Sequence, residues 1–176
     1  MTGGLVGDNA GTITNCFNSG SISASATTWS GSEVAAGGIS GRTRGPIRNS
    51  FNTGSVTAAA RFINNAGGIA GFTDTGLSSI AIYNSFNTGY DSASFNNSSH
   101  SNAGGIAGET WHGNSINSSY NAGNVTASTT IYNAHAGGII GSARGNINNS
   151  FNAGNVTANN ARVNASASGG LVGTGR

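Results

Sequence analysis

The chain has 176 residues, of which 7% are charged, with a formal net charge of +2, 30 glycines, one proline and one cysteine. All seven basic residues are arginines and they are scattered, so the clustered cations that a phosphate backbone requires are missing and nucleic acid is not an expected partner. No apolar run reaches the roughly 18 residues of a membrane helix, no basic and apolar leader opens the sequence, and a lone cysteine permits no internal disulfide.

In chain order, the first element begins at Gly3 with GGLVG. A polar turn follows, then Ile-Thr-Asn-Cys-Phe-Asn-Ser-Gly at 13–20 and Ser-Ile-Ser. The same unit restarts at Gly37, Gly67, Gly104 and Gly137, and a partial one occupies 169–176. A period of about 33 residues marks a repeat array, so the whole chain reads as one solenoid domain. The low charge would suit a disordered tract, yet apolar residues return at fixed phase, which a solvated tract has no reason to keep.

Within a unit the spacing is two, not 3.6. Ile47, Asn49 and Phe51 share one parity, Asn52-Thr53-Gly54 reads as a corner, and Val56 and Ala58 resume. Helix is excluded by that spacing and by the density of Gly and Asn. The pattern predicts an all-β, parallel β-solenoid of five coils. Each coil has three short strands, of types GGIAG, I-x-N-S-F and V-T-A, stacked ~4.8 Å apart. Right-handed winding follows from the preference of parallel crossovers.

Stacking turns each recurrent position into a column. Phe17, Phe51, Phe86, Tyr120 and Phe151 are expected to stack along the core. Asn18, Asn52, Asn87, Asn121 and Asn152 form an expected asparagine ladder at the corner. Gly20, Gly54, Gly89, Gly123 and Gly154 are expected at positive φ, and the paired glycines mark a side too crowded for side chains. The column of Asn15, Asn49, Asn84, Ser118 and Asn149 could face inward or outward, because the adjacent Cys16/Ser50 column recurs as strictly. Cys16 reads as a serine-sized filler, not a nucleophile.

The variable stretches 25–36, 59–66, 94–103, 128–136 and 159–168 are predicted loops on one face. They hold Trp29 and Tyr132, candidate contacts for a glycan or host surface, together with Phe62, Phe95, His100 and His135. A hydroxyl column of Ser23, Thr57, Ser92, Thr126 and Thr157 is a candidate ice-binding rank, although Tyr90, Asn124 and Asn155 interrupt the rank beside it. The nearest approach to a catalytic group is Asp74 and Glu109 in adjacent coils, followed by Trp111 and His112. That edge also carries Asp8, Arg42, Arg44 and Arg144, and so reads better as a ladder of mixed surface charge. The three histidines share no phase and match no zinc spacing. No catalytic, cofactor or metal residue is therefore assigned.

The joint motif of GGLVG, a polar turn and I-T-N-C-F-N-S-G-S-I-S resembles the GLUG repeat of bacterial surface proteins. Gly4-Leu5-Val6-Gly7 and Gly170-Leu171-Val172-Gly173 match its core directly, whereas the internal units substitute Ile and place Ser40, Ala70 or Ala107 at the third position. The resemblance covers essentially the whole chain. It implies an extracellular or cell-surface bacterial scaffold of the adhesin kind. In immunoglobulin-A-specific metallopeptidases the repeat lies outside the catalytic domain, so the resemblance implies no enzymatic activity. The expected function is a structural repeat that extends head-to-tail, as a protomer stacking on itself or as a segment of a longer adhesin. The alternative is a module binding glycan or ice.

Overall fold

The computed structural model describes residues 1–27, 33–74, 81–95, 100–161 and 166–175. Its described residues form a parallel β-solenoid of about five turns without helix. Each coil contributes to five sheets, called I to V here. In the second coil the strands are Glu33–Gly37, Ser40–Thr43, Ile47–Arg48, Phe51–Asn52 and Val56–Ala60. Sheets I and II have six strands and sheets III to V have five. Pairing is parallel and in register throughout: Phe51 meets Phe86 and Asn52 meets Asn87. Ala36 pairs with Ala66 and Ala66 with Ala103, so coils of 30 and 37 residues keep the same register.

Five strands per coil, not three, is a correction with a local cause. Asn15, Asn49, Asn84, Ser118 and Asn149 all adopt left-handed backbone, with φ between 48° and 57°. This residue breaks what reads as one I-x-N-S-F strand into sheets III and IV and reverses the side-chain parity. Ile47 points in, Asn49 out, Ser50 in, Phe51 out and Asn52 in. The Asn49 column is thus exposed, and its amides form an outer ladder, with Asn49 Nδ2 donating to Asn15 Oδ1 at 3.1 Å. Asn tolerates this backbone better than other residues bearing a side chain.

Two expectations fall with that parity. The aromatic column lies on the outer surface, with Phe17 60% and Phe151 58% exposed. The Gly54 column has no positive φ. From the second coil onward its glycines are required by proximity instead, because a Cβ on Gly54 would sit 2.1 Å from the Gly20 carbonyl oxygen. The described residues of the variable stretches, expected as loops, are likewise mostly strand. Their second halves form sheet I, leaving short turns such as that at Arg61 and Phe62.

The core has two parts. Between sheets II and III lie Ile39, Ile69, Ile106 and Ile139 against Ile47, Ile82 and Ile116. Between sheets V and I, Val56, Ala58 and Ala60 pack on Val34, Ala36 and Ala66. Small side chains let these two sheets approach closely. Sheet I also touches sheet II on its other face: a Cβ on Gly71 would lie 2.7 Å from both Ala36 N and Ala36 O. Beyond this contact, side chains of the two sheets, Asn102 and His135 from sheet I with Glu109 and Ser142 from sheet II, line a cleft.

Candidate functional site

The corner asparagines are structural groups. Asn18 Nδ2 donates to Asn52 Oδ1 at 2.8 Å, and Asn52, Asn87 and Asn121 each donate to the next coil at 2.9 Å, ending on Asn152. Each also closes its own corner: Asn52 Nδ2 donates to the Gly54 carbonyl at 2.6 Å and Asn52 Oδ1 accepts from Gly54 N at 3.2 Å. These amides are fully used. The aromatic column is used as well, since its rings stack at centroid separations of 4.8 to 5.3 Å, with 1° to 12° between planes. The ring faces cover one another, and the internal rings turn only their edges to solvent.

Among the proposed surface contacts, Trp29 lies outside the described residues. Tyr132 is 52% exposed at the turn between sheets V and I, where its carbonyl accepts from Asn160 Nδ2. Thr57, Thr126 and Thr157 stand in register with Ser23 and Ser92 on the outer face of sheet V. Ser92 in the middle of this rank is only 9% exposed. A cavity of about 600 Å³ is lined by Ser94, Phe95, Ser128, Thr129, Thr130, Asn159, Asn160 and Ala161.

The titratable chemistry gathers in the cleft between sheets I and II. Fixed by the glycine pairs, the residues two places upstream of Gly67, Gly104 and Gly137 stack as Asn65, Asn102 and His135. They are 0%, 4% and 5% exposed, although they face outward, because sheet II covers them. His135 Nδ1 lies 2.9 Å from Asn102 Oδ1. Asn102 Nδ2 donates to Asn65 Oδ1 at 2.9 Å, and Asn65 Nδ2 donates to Glu33 Oε1 and Glu109 Oε2, each at 3.2 Å. Since the Asn102 amide nitrogen points to Asn65, its oxygen must accept from His135, which fixes the imidazole with its proton on Nδ1. Burial pushes the Glu33 carboxyl above its ordinary range, against the opposing Asn65 hydrogen bond and Arg42 charge.

Sheet II supplies the other wall. Arg42 lies over the Phe72 ring at 6.0 Å, Phe72 meets Trp111 edge-on at 6.0 Å, and Arg144 lies 5.7 Å from the Trp111 centroid. Arg42 pairs with Asp74, and Arg44 with Asp8. The register sets Glu109 beside Phe72 and Thr110 beside Thr73, which leaves Asp74 level with Trp111. Asp74 and Glu109 are therefore offset: one is held by an arginine and the other faces asparagines. They do not form the paired carboxylates of a hydrolase. His112 is exposed at the turn beyond. A cavity of about 140 Å³ opens in the cleft, lined by Ile63, His100, Asn102, Glu109, His135, Ser142 and Arg144.

Sequence reasoning found Glu109, Trp111, the mixed charges and, within the variable stretches, His100 and His135, but missed Asn65 and Asn102 and the column they form with His135. The available signal was their constant offset from the glycine pair. It went unread because these positions lie in the stretches of variable length.

The fold has a counterpart among known proteins. No family model and no curated protein matches the chain. Among solved structures it is similar to a "putative immunoglobulin A1 protease" from Bacteroides ovatus, with a TM-score of 0.64 and 25% identity over 97% of this chain and 53% of that one. The chain thus spans about half the length of that structure.

Proposed function

We propose that this chain is a non-catalytic structural repeat of a bacterial extracellular or cell-surface protein, of the GLUG-repeat kind, in which coils continue head-to-tail. The observation that carries the reading is the directionality of the corner ladder. Each amide from Asn18 onward donates to the coil after it, so the first coil offers an acceptor where the last offers a donor. The outer ring faces of Phe17 and Phe151 and the apolar side chains of Leu5 and Leu171 are uncovered at the two ends of the stack. These features match one another as two faces of one repeat would. The next coil belongs either to a longer chain or to a second protomer, and electron microscopy at high protein concentration separates the two, as short rods or as filaments.

The likeness to a protein named as a protease makes proteolysis the activity to exclude. In this reading the chain leaves immunoglobulin A1 intact after prolonged incubation with or without added divalent zinc. Hinge cleavage by the purified chain, removed by a variant in the cleft, would overturn it.

A further inference from the structure

We propose that the cleft between sheets I and II is a carbohydrate-binding site that seats one pyranose ring of a neutral glycan over Asn102 and His135. This goes beyond a scaffold role and does not depend on it. The chain is nearly devoid of charge, yet Glu109 and Arg144 line this one cleft with two of the three histidines, and Glu33 reaches its floor through Asn65. Its floor is polar and buried on the outside of the fold, where a solenoid needs no polar residue for stability. The equivalent place in the second coil is Ala35.

The chemistry of the lining selects the ligand. A pyranose presents hydroxyls that donate and accept, over a ring with apolar C–H faces. The cavity offers acceptors on Glu109, donors on Arg144, both kinds on Ser142 and His100, and an apolar patch on Ile63. The hydrogen-bond chain from His135 through Asn102 to Asn65 fixes the floor amide before a ligand arrives, which lowers the cost of ordering it. Other ligands fit less well. An anion would meet one guanidinium offset by the Glu109 carboxylate, and no group of three metal ligands exists among the described residues. An apolar peptide side chain would strip water from the Glu109 carboxylate and the Arg144 guanidinium without replacing its hydrogen bonds. The 140 Å³ volume suits one ring and not a longer segment. The larger cavity beside sheet V has no ionisable group to orient a sugar.

The test titrates methyl glycosides of glucose, galactose, mannose, fucose and N-acetylglucosamine into the whole chain. The readouts are the imidazole resonances of His100 and His135 and the indole N–H of Trp111. At least one sugar is expected to give saturable shifts, with a dissociation constant on the order of 0.1–10 mM. Ser142→Leu, which fills the cavity wall, should weaken binding by at least about tenfold, and the near-isosteric Glu109→Gln by several-fold. Ser94→Leu, beside the larger cavity, should leave binding unchanged. Circular dichroism checks each variant for folding, and Glu109→Gln carries the test if Ser142→Leu does not fold. The proposal is overturned if none of the sugars produces a saturable shift. It is equally overturned if folded cleft variants bind as the parent does, or if sodium sulfate reproduces the shifts and competes with the sugar.

Discussion

Asp91 occupies a place that its neighbours give to aliphatic side chains. Ile22, Val56, Asp91, Val125 and Val156 stack in register in sheet V, and Asp91 is fully buried. Its Oδ2 accepts from Asn87 Nδ2 at 2.7 Å, while Oδ1 is buried without a hydrogen-bond partner. Asn87 Nδ2 has two hydrogens for three acceptors, since it also serves the Gly89 carbonyl and Asn121. Burial raises this carboxyl well above its ordinary value of 3.8, against the opposing hydrogen bond from Asn87. The packed strands 56–60, 125–129 and 63–67 carry no titratable residue, and 100–104 carries only His100. The sign follows from proton counting. Below about pH 3.8 both states hold the proton and folding incurs no ionisation penalty. Above it the unfolded chain releases a proton that the folded chain keeps, so stability falls by about 1.4 kcal/mol per pH unit until the folded carboxyl ionises. Asp91→Val is expected to flatten that slope and to stabilise the protein at pH 7 by about 2 kcal/mol. Urea denaturation at pH 4 and pH 7 measures both, and an unchanged pH slope would contradict the account.

At the scale of the element, the ladders differ in what they hold. Asn87→Ala removes bonds to two coils and strands buried carbonyl and amide groups at the corner, an expected loss of about 3 kcal/mol. Asp74→Asn breaks a pair whose side chains keep 31% and 15% of their exposure, and is expected to cost at most about 1 kcal/mol. Thermal unfolding of the two variants side by side checks the contrast, which a solenoid held by its outer charges would reverse. The outer aromatic stack shows how much of an element the sequence discloses. The recurrence of Phe51 announces that the rings meet, but recurrence is blind to which face they occupy. That is decided by the left-handed backbone at Asn49, a single residue that exchanges inside for outside. Asn tolerates this conformation without demanding it, so period-two counting carries Phe51 inward with Ile47. The same limit hides the column of Asn65, Asn102 and His135, whose burial depends on how sheet II folds back over sheet I.

For the whole molecule, the repeat makes the architecture legible because every coil must satisfy the same neighbours above and below. In-register pairing of coils as different as 30 and 37 residues shows that the columns, and not the lengths, set the fold. Function is less legible because most recurrent residues are consumed by stacking, and the cleft differs from coil to coil. The central claim is that the first and last coils are complementary faces of one solenoid. It is tested most directly by fusing residues 1–168 to residues 3–176 of a second copy, so that Gly3 takes the place of Gly169 in the repeat. The account expects one cooperative urea transition, with a midpoint above that of the single copy and an m-value about twice as large. Solution scattering should show a single rod about twice as long. Two independently tumbling units that unfold at the midpoint of the single copy would contradict it.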